Sequence, residues 1–281
     1  MLRSRVVGAG PLSLHSLTPA IGAEIRGVDL SQPLVPPVAQ AIRDALTAHQ
    51  VIFFRDQGLS VEQQVTFGRL FGELVVHPND PGLSGHPEVM IIHADSASKR
   101  VAGERWHSDV SCDPEPPMGS ILRLHTVPER GGDTLFSSMY AAYEALSGPM
   151  QAWLTTLTAE HDGAPYYRSV NARIGRDDGG KGYPQAVHPM VRTHPVSGRK
   201  GMFVNEMFTT RIVGLSRDES DAVLAFLFKH VQRPEFQCRF QWAAHSIAFW
   251  DNRCTQHMAI WDYFPATRSG YRVTIKGERP A

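Results

Sequence analysis

The chain has 281 residues, with 28 basic and 28 acidic side chains, 42% hydrophobic and 9% aromatic content. That balance leaves no global field to draw it to nucleic acid or an anionic membrane, and no apolar run nears the roughly 20 residues that span a bilayer. Cys112, Cys238 and Cys254 are odd in number and far apart, which suits neither a disulfide framework nor a cysteine-rich zinc site and fits a reducing cytoplasm.

In chain order, the opening "MLRSRVVGAGPLSLHSL" is broken by Gly8, Gly10, Pro11 and His15, so it does not read as a signal peptide. Residues 36–49 carry the spacing of an amphipathic helix, and "VIFF" at 51–54 follows as a buried strand. A second helix is expected over 61–71, then a strand in "EVMIIHA". "GSILRLHTV" and "DTLFSS" read as strands, with a helix from Met139 to Leu146 behind them. Residues 171–185, "NARIGRDDGGKGYPQ", are rich in glycine and charge and read as a mobile surface loop, a candidate lid. Inside it, Gly175 to Lys181 nearly matches a phosphate loop. Gly182 stands where the magnesium-binding hydroxyl belongs, however, and no strand–loop–helix frame surrounds it. Ser216 and Glu219 form a capping box ahead of a helix whose apolar face holds Val223, Leu224, Leu227, Phe228 and Val231. "QCRFQWA", "SIAFWD" and "YRVTIKG" make the C-terminal part strand-rich. Many short strands with a few outer helices predict a mainly β fold with flanking helices, as one domain over 1–281.

"WHSD" at 106–109 sets His107 two positions before Asp109, a spacing that on a strand puts both side chains on one face. Spacing alone decides nothing, because His93 and Asp95 in "HAD" share it. An imidazole with a carboxylate suits a borderline divalent metal. A second histidine would complete the facial arrangement of non-haem iron oxygenases, with positions left open for O2 and substrate. "WDNRCTQHMAIWDYFPATRSGYRVTI" supplies His257, then Arg268 and Arg272, four apart on an expected strand and hence on one face. Two guanidiniums facing a metal pocket suit two anions, since the planar fork binds carboxylate or sulfonate oxygens in pairs. His188 and His194, in "HPMVRTHP", are surplus to a complete triad and read as structural.

From about Gly22 to Pro280 the chain resembles the taurine dioxygenase family of iron(II)- and 2-oxoglutarate-dependent oxygenases. The resemblance rests on "FGEL" with "HP" after it, "WHSDVS", "PERGGDTLFSSMYAAYEALS", "LTAEHDG", "HPMVRTHPVSGRKGMFVNEMFTTRI" and "WDNRCTQH". It implies a double-stranded β-helix, or jelly roll, with iron(II) held by His107, Asp109 and His257. It implies Arg268 and Thr134 for the distal carboxylate of 2-oxoglutarate, and Arg272 with His77 for the anionic head of the substrate. Phe208 and Tyr167 would line the substrate pocket. The family consumes O2, forms succinate and CO2, and occurs as dimers and tetramers, so a homo-oligomer is expected. Retention of Asp109 implies hydroxylation, because related halogenases lack that carboxylate.

The expected substrate is a small anionic molecule, a taurine-like sulfonate or an alkyl sulfate, released as an aldehyde with sulfite or sulfate. A carboxylate, such as an aryloxyalkanoic acid or an amino-acid-derived biosynthetic intermediate, is the alternative. Asp80 stands where taurine-specific members carry an aromatic residue, and Gly103 where they carry an asparagine. A catalytically silent metal- or carbohydrate-binding jelly roll fits poorly, since such a module needs no cosubstrate anchor.

Overall fold

The computed structural model describes residues 12–76 and 82–281; His77, Asp80 and most of the opening stretch lie outside them. A short antiparallel pair, β1 (Ser13–Ser16) and β2 (Ala23–Arg26), leads into helix α1 (Pro36–His49). Proline in its first turn sacrifices no helical hydrogen bond, and Ile42, Ala45 and Leu46 form its buried stripe. Strand β3 (Val51–Phe54) follows, then α2 (Val61–Arg69), opened by a capping box of Ser60 and Gln63 and two residues shorter than expected. Strands β4 (Val89–Ala94), β5 (Gly119–Thr126) and β6 (Thr134–Ser138) come next.

The helix expected over 139–146 is α3 (Met139–Glu144), and a further helix, α4 (Gly148–Leu154), starts on a Ser147 cap. Beyond β7 (Thr158–Asp162) lies α5 (Ala164–Ile174). Its last turn corrects the expected loop: Asn171 to Ile174 are helical, and the loop begins at Gly175, whose φ of 69° ends the helix in the left-handed conformation. Strands β8 (Gln185–Pro189), β9 (Val191–Thr193), β10 (Lys200–Met202) and β11 (Thr209–Ile212) precede α6 (Arg217–Val231), which opens on the predicted Ser216–Glu219 capping box. The chain closes with β12 (Gln237–Phe240), β13 (Ser246–Asp251), β14 (Thr255–Ala259) and β15 (Arg268–Ile275).

The main sheet runs β1-β2-β3-β13-β5-β15-β4, antiparallel except between β2 and β3. Its central strands are covered on both faces. Ile52, Phe54, Ile247 and Phe249 face the helices α1 and α2, whereas Val51, Phe53, Ala248 and Trp250 face Phe136 of β6 and Cys238 and Phe240 of β12. Burial on both sides is why these strands read as unbroken apolar runs rather than alternating ones. The sheet β12-β6-β14 forms the second layer, with Phe53 stacked on Phe240 at 4.0 Å between them. Helices α3, α4 and α6 pack with β7, β9, β10 and β11 into a separate cluster. The architecture is therefore mainly β with flanking helices, and among the described residues no helix is long and apolar enough to cross a membrane.

Candidate active site

β14 presents His257, and an isolated antiparallel bridge ties its backbone to His107, with N–H···O distances of 3.1 and 2.8 Å. The bridge sets the two imidazoles side by side, ring centroids 4.1 Å apart and planes tilted by 44°. The expected strand does not carry Asp109. The residue opens a turn, because Val110 takes a φ of 45° and reverses the chain immediately behind it. A β-branched residue in that conformation costs about 1–3 kcal/mol. Neighbouring bonds hold it there: Ser108 Oγ donates to Thr255 O at 2.7 Å, and Asn205 Nδ2 donates to Ser111 Oγ at 2.7 Å.

Asp109 Oδ1 lies 3.7 Å from His107 Nε2 and 3.8 Å from His257 Nε2, all three side chains being buried. Two donors sharing one ion through bonds of about 2.1 Å stand at most ~4.2 Å apart, so the set fits a divalent metal. The donors are also in the right state. His107 Nδ1 lies 2.8 Å from Arg105 O, a bond that fixes its proton there and frees Nε2. Burial, reinforced by His107, pushes His257 well below the ordinary histidine range, so it is neutral. Burial alone would raise Asp109, but the Arg272 guanidinium leads the groups that hold it well below the usual carboxylate range. Its Oδ2 accepts from Ser120 Oγ at 2.8 Å, Trp250 Nε1 at 3.2 Å and Asn252 Nδ2 at 3.2 Å, which leaves Oδ1 turned to the histidines. Sequence reasoning missed all three donors, although Trp250 and Asn252 sit inside the "WDNR" stretch.

β15 carries both arginines into the space beside the triad. Arg268 is 2% exposed, and its Nε donates to Gly132 O at 3.0 Å, its Nη2 to Thr134 Oγ1 at 3.4 Å. No carboxylate pairs with it among the described residues, and a buried cation without a counter-ion is costly unless an anion joins it. The site thus has room for an anion that the chain itself does not supply. Trp242, also missed from sequence, completes this corner: Nε1 donates to Thr134 Oγ1 at 3.0 Å, and its ring lies 5.5 Å from the Arg268 guanidinium.

Arg272 Nη1 donates to Asp109 Oδ1 at 3.0 Å, so the same oxygen faces both histidines and this guanidinium. Arg272 opens onto a cavity of about 280 Å³ that also meets His107, Tyr167 and Phe208. The structure therefore brings His107, Asp109, His257, Thr134, Arg268, Arg272, Phe208 and Tyr167 into one neighbourhood. Gly103 lines the cavity too, with a φ of 80°, and a Cβ there would crowd His107 Cε1 at 3.1 Å.

The competing clusters differ in kind. His93 Nε2 lies 3.3 Å from Asp95 Oδ2 on the surface, with no third donor among the described residues. His194, Asp251 and Cys254 have metal-like spacing. Both Asp251 oxygens, however, already accept from Arg253 and one also from His194, and burial pushes the Cys254 thiol well above its ordinary value. That cluster is a salt-bridge network, so His194 is structural, as is His188, whose Nε2 lies 3.0 Å from Asp113 O.

A family model described as "Taurine catabolism dioxygenase TauD, TfdA family" matches residues 13–274. The chain is 38% identical over 279 residues to an alpha-ketoglutarate-dependent sulfate ester dioxygenase of Pseudomonas putida, spanning 96% of this chain and 91% of that protein. The crystal structure of a taurine dioxygenase from Burkholderia xenovorans is similar at a TM-score of 0.85 and 38% identity, covering 97% of this chain and 93% of that one. The structure of AAD-2 in complex with Mn(II) and N-oxalylglycine is similar at a TM-score of 0.81 and 30% identity, covering 96% and 99%.

Proposed function

Because the chain belongs to the taurine catabolism dioxygenase TauD, TfdA family, and is an iron(II)- and 2-oxoglutarate-dependent dioxygenase that consumes O2, we propose that it hydroxylates a small organic sulfate ester or sulfonate. Arg272 carries this reading: a guanidinium held against the metal-facing oxygen of Asp109 while it opens onto the cavity. In that place it would grip an anionic head and set the adjacent carbon beside the metal, with Phe208 and Tyr167 as walls that exclude water. His77 would share the head, on the resemblance.

His107, Asp109 and His257 would hold the iron, with Ser120, Trp250 and Asn252 orienting the carboxylate. Arg268 and Thr134 would bind the distal carboxylate of 2-oxoglutarate. The bound iron, with 2-oxoglutarate and O2, supplies the C–H hydroxylation, and 2-oxoglutarate leaves as succinate and CO2. A hydroxyl on the carbon bearing a sulfate or sulfonate group makes an unstable product, which collapses to an aldehyde with sulfate or sulfite. We read the facing sheets as a double-stranded β-helix, residues 1–281 as one oxygenase domain, and the enzyme as a cytoplasmic homo-oligomer; the three buried free cysteines support the compartment.

The test is a panel of chain-matched sulfates, sulfonates and carboxylates, aryloxyalkanoic acids included, incubated with Fe(II) and 2-oxoglutarate. Succinate should form with the sulfur compounds, matched mole for mole by sulfate or sulfite. Succinate formed with carboxylates alone would overturn the sulfur reading. A second outcome concerns the cosubstrate: Arg268→Gln should raise the KM for 2-oxoglutarate about 100-fold, the loss typical of truncating one side of a buried charge pair. An unchanged KM would remove Arg268 from that role.

A further inference from the structure

We propose that the outer end of the active-site cavity is a second anion site built by Arg100 and Arg176, so that the preferred substrate is a dianion. It would carry a sulfate or sulfonate at the reacting end and a second acidic group at the far end of an apolar chain. The inference rests on the placement of the first anion at Arg272.

Charge around the cavity is lopsided. Arg100, Arg176 and Arg272 line it against one carboxylate, Asp109, which faces the metal site. The neighbouring arginines set a contrast. Arg168 pairs with Asp178 at 3.4 Å, and Arg173 pairs with Glu104; neither lines the cavity. Arg100 and Arg176 do, and among the described residues no carboxylate pairs with either. Arg100 has only the Tyr166 hydroxyl, 3.5 Å from Nη1. Arg176 is exposed just beyond the end of α5, while Arg272 stands on β15 at the triad. Arg176 and Arg272 thus stand on different elements, one exposed to solvent and one beside the triad.

The lining also holds the apolar side chains Met90, Val170, Ile174, Met207 and Phe208, beside the polar Tyr166, Tyr167 and Asn171. The volume of about 280 Å³ holds roughly nine waters at ~30 Å³ each, room for a chain of several carbons and more than a two-carbon aminosulfonate fills. An amine at the far end, as in taurine, would meet two guanidiniums of its own sign.

The test is binding calorimetry under nitrogen on protein loaded with Fe(II) and 2-oxoglutarate, so that affinity is read without turnover. Four ligands of equal chain length separate the questions: hexyl sulfate, its ω-carboxylate 6-sulfooxyhexanoate, hexanoate and adipate. The head group reports on the proposed function, and the tail reports on this site. Within each head-group pair the dianion should bind about three- to tenfold tighter, the range for partly exposed ion pairs. Arg100→Gln with Arg176→Gln should bring that ratio to about one, whereas Arg168→Gln, whose charge is already paired, should retain it. A wild-type ratio near one overturns the site. So does a double variant that weakens monoanion and dianion equally, since that is long-range steering. Tighter binding of carboxylate heads with the tail preference intact would overturn the sulfur reading and leave the second anion site standing.

Discussion

Alanine at His257 should abolish iron binding and turnover together, with kcat/KM falling by at least about a thousandfold. Loss of a group that merely orients a ligand costs about 10- to 100-fold in metal affinity, and loss of a ligand exceeds that. His257 supplies one of three donors, and its Nε2 lies 3.8 Å from the Asp109 oxygen that both histidines share. Among the described residues no other imidazole joins the cluster: His93 sits in a surface pair, and His194 is bonded to Asp251. Asn252→Ala is the graded comparison. Asp109 Oδ2 would lose one donor of three while Ser120 and Trp250 remain, so affinity should drop only about 10- to 100-fold. The measurements are Fe(II) titration and the absorption that Fe(II) and 2-oxoglutarate give together under nitrogen. Retention of that band in His257→Ala would remove His257 from the metal site. His93→Ala should change neither reading.

The sequence carried the metal triad further than it carried the geometry that builds it. Strand periodicity put His107 and Asp109 on one face, yet the face is made by a turn at Val110 and a bridge to His257. Neither has a local signature, because a φ of 45° at a β-branched residue is imposed by tertiary contacts. The donors on Asp109 come from 11, 141 and 143 residues away, so pattern reading could not aim them. Where signals were local they were legible: the Ser216 capping box opens α6, and "VIFF" is buried on both faces. The missed helices share one cause. α4 and α5 begin at Gly148-Pro149 and Ala164-Pro165, dipeptides that can punctuate a loop as readily as they open a helix, where proline in the first turn sacrifices no hydrogen bond.

Asp251→Ala should be the most destabilising single change outside the metal site, costing about 3–5 kcal/mol. The carboxylate is fully buried at the end of β13, and its Oδ1 accepts from Arg253 N and Nε, both at 2.9 Å. Its Oδ2 accepts from Arg253 Nη2 at 2.7 Å and His194 Nε2 at 3.0 Å. Alanine strands a guanidinium whose remaining acidic neighbour, Glu278, is 3.8 Å away and half exposed. Asparagine keeps the shape but loses the charge and turns its amide N–H toward donors, so it should cost a similar amount, about 3–5 kcal/mol. The same network dictates a pH dependence. Burial alone would raise Asp251, but the bonds from Arg253 and His194 hold it far below the usual carboxylate range. A carboxyl lowered on folding contributes its stability above the unfolded value of about 3.9 and loses it as pH falls toward the folded one. Urea unfolding from pH 6 down to pH 3 should therefore show a shallower acid decline for Asp251→Asn than for the wild type. Equal slopes would mean that the charge of Asp251 does not stabilise the fold. Since Asn252 follows Asp251 directly and bonds Asp109, the alanine variant should also bind Fe(II) more weakly, whereas a change confined to the distant α6 capping box should not.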